Sequence, residues 1–224
     1  LAQATDGHVL LESARGTVWS GSARLVLAGG AGSRDAAALP TPLSWELRPA
    51  PGGLRVAFSS AGCTSQPVSV RVQPKWGGLR VDVADGPPSR WPAALLAGLG
   101  TPWNTLQLEG DLQVSARGLT LSWVDRRLQV EGEARLSALG IASRLSTLRP
   151  VGSYRLTLAG GATPSLRLET LEGSLQLTGT GQWVGSRLRF SGEASAEPQR
   201  EAALANLLNI IGQRSGPRSL ITLG

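Results

Sequence analysis

The sequence predicts an all-β fold: a meander of hairpins forming strongly curved antiparallel sheets, as a half-barrel or a two-sheet sandwich, with a short mid-chain helix and one C-terminal helix. Three observations carry this expectation. Trp123-Val-Asp-Arg-Arg-Leu-Gln-Val-Glu-Gly-Glu-Ala134 recurs 60 residues later as Trp183-Val-Gly-Ser-Arg-Leu-Arg-Phe-Ser-Gly-Glu-Ala194, with Trp, Leu, Gly, Glu and Ala at matching spacing. In each copy a strand runs up to a Trp, four residues turn the chain, and a second strand leaves with apolar residues at alternate positions, which is a hairpin pattern. Composition agrees, because 41% apolar and 17% charged residues with 29 Gly and 14 Pro suit many short strands better than long helices or disorder.

Taken in order, His8-Val-Leu-Leu11 opens a first strand, and Gly16-Thr-Val-Trp-Ser-Gly-Ser-Ala23 leads into Leu25 and Leu27. Gly29 to Pro42 has no period and reads as a mobile loop. Leu43–Leu47, Leu54–Phe58, Val68–Val72 and Leu79–Val83 alternate apolar with polar residues, as a half-buried sheet requires. Asp85-Gly-Pro-Pro88 interrupts the pattern, and Trp91 to Leu99 could make two turns of helix. The chain is expected to be one all-β domain over 1–224, its two sheet halves joined near 85–104.

In the second half, Leu106, Leu108, Leu112 and Val114 share a face, followed by Leu119, Leu121 and Trp123, then Leu128, Val130, Ala134 and Leu136. Arg149–Leu158, Leu166–Leu168 and Leu175–Leu177 continue the meander, and glycines within these strands point to a bent sheet. From Glu193 to Gly212 the period changes. Pro198 suits a first helical turn, and Leu204, Leu207, Leu208 and Ile211 form a stripe that should pack on the sheet. Arg218–Leu223 reads as a last strand.

The Trp residues are the candidate interaction residues. Trp19, Trp45, Trp76, Trp123 and Trp183 all fall at or near hairpin ends, where an indole can close the apolar face of a sheet or line a binding groove.

Candidates for chemistry are few. His8 has no nucleophile near it in sequence and is the single histidine, Cys63 is the single cysteine, and the Gly29–Gly32 stretch lacks the Lys and helix start of a phosphate loop. Glu109, Asp111, Glu131 and Glu133 could be cross-strand neighbours, but they alternate with the apolar face and so point to water. The formal charge of +6 comes from 21 Arg and Lys75, spread along solvent-side strand positions such as Arg15, Arg24, Arg55, Arg80, Arg135, Arg167 and Arg189. Nucleic-acid binders carry a basic stripe instead, so no nucleic-acid partner is expected. No catalytic, metal or cofactor site is predicted, and the chain reads as a non-enzyme. Met is absent even at position 1, so the chain is expected to begin inside a longer gene product, and no apolar run is long enough for a membrane helix.

Gly16-Thr-Val-Trp-Ser-Gly-Ser-Ala23, Pro42-Leu-Ser-Trp45, Pro150-Val-Gly-Ser-Tyr-Arg-Leu156 and Leu207-Leu-Asn-Ile-Ile-Gly-Gln-Arg-Ser-Gly-Pro-Arg-Ser-Leu-Ile-Thr-Leu-Gly224 together resemble the type II secretion system protein N family, over about Gly16 to the end. The resemblance implies a periplasmic domain held to the inner membrane of a Gram-negative bacterium by an N-terminal helix that this sequence lacks. It further implies a non-catalytic part of the machine that exports folded proteins, with the secretin and the inner-membrane platform as partners. The implied fold is similar to the half-barrel sheets of periplasmic lipid-handling proteins. Two functions follow as expectations: an interaction module docking through strand edges or tips, or a hydrophobic-ligand or lipid-binding half-barrel with Trp and Leu lining its groove. A homodimer through an exposed edge is compatible with either.

Overall fold

The computed structural model describes residues 5–124, 127–185 and 187–224. It is 61% strand and 11% helix, and its strands form one open antiparallel sheet rather than two packed sheets. Among the described residues the strands are β1 (Val9–Gly16), β2 (Ser20–Ala28), β3 (Ala36–Ala38), β4 (Leu43–Ala50), β5 (Gly53–Ser60), β6 (Val68–Lys75), β7 (Gly78–Val83), β8 (Ser89–Pro92), β9 (Leu108–Val124), β10 (Arg127–Ser143), β11 (Gly152–Ala159), β12 (Ser165–Glu172), β13 (Leu175–Val184), β14 (Arg187–Ala196), β15 (Gln213–Ser215) and β16 (Arg218–Leu223). Neighbours in the sheet are nearly always neighbours in sequence, in the order β1-β2-β4-β5-β6-β7-β9-β10-β11-β12-β13-β14-β16-β15. Gly78–Asp82 pairs with Thr120–Val124, so the ladder runs unbroken across the expected joint.

Register places the apolar residues of successive strands opposite one another. Trp45 faces Phe58, Val72 faces both Leu54 and Val81, Leu121 faces Val130, Leu136 faces Leu156, and Leu177 faces Ala194. Because side chains alternate along a strand, this register gives the sheet one apolar and one polar face. Of the apolar residues read in succession here, Leu106 ends a short helix, and Leu108, Leu112, Val114, Leu119, Leu121 and Trp123 all lie on the single β9. Bulges in the β9–β10 pairing, where Gly118, Gly132 and Gly140 take positive φ, reset the alternation midway.

The segment expected to be a mobile loop is ordered. Ala36–Ala38 pairs with Val26–Ala28, and Leu39 is 1% exposed, so a run of small residues without a period still supplies a short strand and a core anchor. Trp91–Pro92 end β8, and Ala93–Leu99 form a 3₁₀ helix followed by the short α1 (Trp103–Leu106). The C-terminal helix α2 (Glu201–Ile211) starts later than the sequence suggested, because Glu193–Ala196 completes β14 and Pro198 precedes the helix.

Two connected cores result. The larger joins Leu112, Ile141, Tyr154, Leu175 and Ala194 of the sheet to Leu204, Leu207 and Leu208 of α2, with Ile211 half-buried beside it. The smaller packs Leu39, Cys63 and Leu95, and Trp91 touches both. Buried hydroxyls tie the helices and loops to the sheet: Ser219 donates to the Leu208 carbonyl (2.6 Å), Ser143 to that of Leu106 (2.5 Å) and Ser146 to that of Ala203 (3.1 Å).

The meander gives the molecule two unlike ends. The 3₁₀ helix, α1 and α2 all sit in connections at one end, as does the start of β1, where Ala28 N–H donates to the His8 carbonyl. The opposite end holds the tight turns after β1, β4, β6, β9, β11 and β13.

Candidate functional site

The sequence-predicted Trp residues gather at this second end. Trp76 lies in the β6–β7 turn and is 100% exposed. Trp19 lies in the β1–β2 turn and is 55% exposed, and Trp123, one residue from the end of β9, is 46% exposed. Trp183 is half-buried one residue from the end of β13, opposite Leu188. Trp45 lies deeper. Its Nε1–H donates to the Val18 carbonyl at 3.1 Å, and its ring occupies the space over Gly21 that a side chain would otherwise fill, which braces the β1–β2 tip. The turn residues Asp125, Arg126 and Ser186 of the two repeated hairpins lie outside the described residues, but the ladders close on Val124–Arg127 and Val184–Arg187 on either side of them.

Below the tips the apolar face is incompletely covered. Trp45, Leu47, Val56, Phe58, Val70, Val72, Val81 and Leu121 are all half-exposed, and Leu54, Leu79 and Trp123 more so. The helices shield the other end only. Where the shield stops, a cavity of about 330 Å³ is lined solely by apolar residues, including Leu25, Leu43, Phe58, Trp91, Leu96 and Val114. Sequence reasoning named none of these as groove residues, because alternation shows that a residue faces the apolar side but not whether a helix covers it. A larger cavity of about 640 Å³ lies on the polar side of β12–β14, among Ser165, Arg167, Thr180, Gln182 and Arg189. It is a wide dish whose lining mixes these polar side chains with Leu166, Val184 and Phe190.

The titratable residues hold structure together. Glu109, Asp111, Glu131 and Glu133 are not cross-strand neighbours: Glu131 faces Thr120 and Glu133 faces Arg117, while Glu109 and Asp111 face Ala142 and Leu139. Glu109 pairs with Arg149, Asp111 with Arg90 (3.9 Å) and Glu133 with Arg135 (2.5 Å). Burial opposes ionisation of Asp82, but hydrogen bonds from Thr120 (2.8 Å) and Arg80 (2.9 Å), with the charges of Arg80 and Arg71, hold its carboxyl below the ordinary value. Burial pushes the Tyr154 phenol well above its ordinary value, and its hydroxyl donates to the Leu175 carbonyl at 3.1 Å. His8 Nδ1–H donates to the Ala28 carbonyl (3.0 Å), joining β1 to β2. Among the described residues no group of three or more His, Cys, Asp or Glu is placed to hold a metal ion, and no helix is long and apolar enough to cross a membrane.

No curated protein and no solved structure matches the chain. The family model of type II secretion system protein N, however, matches residues 7–221, nearly the whole length from the first described strand to the last. The open meander, its tips and its C-terminal helix lie within the match, which ends inside β16, so the chain belongs to the type II secretion system protein N family and is a component of that protein-export machinery.

Proposed function

We propose that the chain is a non-catalytic spacer of the secretion machine, lying in the periplasm and linking the inner-membrane platform to the secretin. The observation that supports this reading is the polarity of the sheet. The first described residues and the helices share one end, so an N-terminal membrane anchor of the kind the family resemblance implies would join there. The β9–β10 hairpin, 17 residues in each strand, carries the tips to the other end, about 50 Å away at 3.3 Å per residue. A twisted, hydrogen-bonded sheet of that length is stiff enough to hold two partners apart. The strand edge best suited to a protein partner is β1, whose outer backbone groups face no other strand among the described residues. A bulge at Ser13 (φ 50°) limits its regular run to Val9–Glu12.

The test is titration of the purified chain with the periplasmic part of the secretin and, separately, with that of the platform. Saturable binding that is lost in Leu11→Pro, a position whose backbone N–H faces away from β2, with the fold unchanged by circular dichroism, is the expected result. Binding to neither partner, or binding indifferent to Leu11→Pro and to substitutions at every tip, overturns the reading.

A second reading is favoured by the uncovered apolar cavity: a hydrocarbon chain fits a site that offers no hydrogen-bond partner from its lining side chains. Native protein that carries no lipid on extraction, and that takes up no fluorescent fatty acid, would count against it.

A further inference from the structure

We propose that the hairpin-tip end is a lipid-contacting surface, built to rest in the headgroup region of a bilayer containing acidic phospholipid. Exposure of large apolar side chains is concentrated there. Val18 and Trp19 occupy the β1–β2 turn, Trp76 occupies the β6–β7 turn, Trp123 precedes the β9–β10 turn, Val184 the β13–β14 turn, and Leu223 ends β16 at the same end. The exceptions are Trp103 on α1 and Leu171 near the end of β12, both partly exposed at the helix end, and Val114 and Leu220 partway along their strands. None of these tip residues is needed to fill a core, as Trp76, exposed in full, shows.

The form of the surface decides its occupant. From β2 to β16 the tips spread over eleven strand steps, about 50 Å along the sheet at 4.8 Å per strand. Single apolar side chains spaced along such a rim do not make the contiguous, closely packed patch of a protein interface, where each partner contributes about 800 Å². They do suit a soft, laterally continuous medium that each tip can enter separately. Trp is the side chain that best tolerates this boundary, with an apolar ring system and one N–H that remains hydrated.

Charge points to the same medium. Lys75, Arg127 and Arg187 are the strand residues that flank these turns, and none of them forms an ion pair among the described residues. Asp125 and Arg126, outside the described residues, offset each other. Connections at the helix end carry both signs instead, such as Arg34 with Asp35 and Arg200 with Glu197 and Glu201. Cations set beside exposed indoles match an anionic headgroup layer.

Vesicle flotation tests the proposal, comparing phosphatidylcholine vesicles with phosphatidylcholine vesicles containing phosphatidylglycerol. The chain should float with the second and much less with the first. Trp76→Ser combined with Val184→Ser, and separately Lys75→Glu combined with Arg187→Glu, should weaken binding about tenfold or more, whereas Leu171→Ser, an exposed site at the far end, should leave it unchanged. Because these tip positions are exposed, the variants should unfold at the wild-type temperature, which is measured alongside. Equal flotation with both vesicle types, no flotation at all, or tip variants that float like wild type would each overturn the proposal. If the tip variants lose secretin binding while vesicles are ignored, the tips belong to a protein partner instead.

Discussion

The two ends of this sheet spend their apolar residues in opposite ways. At the helix end Leu204 and Leu208 are 0% exposed, locked between α2 and the strands, and hydroxyls of Ser143, Ser146 and Ser219 satisfy helix and loop carbonyls. At the tip end Trp19, Trp76 and Trp123 stand largely in solvent. Burying a large apolar side chain stabilises a fold by about 1.5–3 kcal/mol, so one end carries the stability of the chain while the other holds its most recognisable residues without that return. Prominence in the sequence is therefore no measure of structural weight here: the repeated Trp marks a surface, and the plain Leu stripe marks the core.

That contrast can be broken at several points. The largest effect should come from Leu208→Ala, which leaves a cavity between α2 and the sheet and should cost about 2–5 kcal/mol, read as a fall in the denaturant midpoint. A loss below about 1 kcal/mol would mean that α2 adds little to the fold.

Next comes Tyr154→Phe, which removes the buried hydrogen bond to Leu175 and should cost about 1 kcal/mol at neutral pH. The folded state raises the phenol pKa, so it binds the proton more tightly than the unfolded chain. The resulting stability is complete below pH 10, the unfolded value, and declines as pH rises further. Wild type should therefore lose stability more steeply than Tyr154→Phe in alkaline unfolding curves; parallel curves would show that the hydroxyl is not held neutral.

The smallest effect should be that of Trp76→Ala, within about 0.5 kcal/mol of wild type, since the side chain gives up no burial. A loss of 2 kcal/mol or more would show that the tip indoles are structural after all and would erase the difference between the ends.

The meander was legible because each strand alternates and the two Trp-tipped hairpins repeat, and the final Arg218–Leu223 strand was readable for the same reason. Periodicity could not show that β9 is one long strand, since its bulge shifts the apolar residues to the other parity between Val114 and Leu119. Nor could it find Ala36–Ala38, whose three identical small residues carry no pattern and are held by their partner strand. The tips were readable one by one, but not their gathering at a single end, which depends on the count of turns between them. An intervening connection with its own β8, 3₁₀ helix and α1 hides that parity. The uncovered cavity was illegible for a different reason: coverage is a property of which helix lies over which strands, and α2 packs most closely on β14, β15 and β16, none of which lines the cavity.

One small element carries a last consequence. The three-residue β15 folds back on β16 and covers its Arg218–Leu220 stretch, presenting Arg214 on a strand too short to template another, whereas β1 at the opposite margin has no such cover among the described residues. A chain with two free margins could add copies head to tail without limit, as fibres do. With that margin cut back to Ile221–Leu223, the longer free edge is β1, and pairing of β1 with a second β1 would close as a two-fold pair and stop. The hairpin made by β15 and β16 thus shortens the edge on which another copy could grow, a useful trait in a sheet this wide.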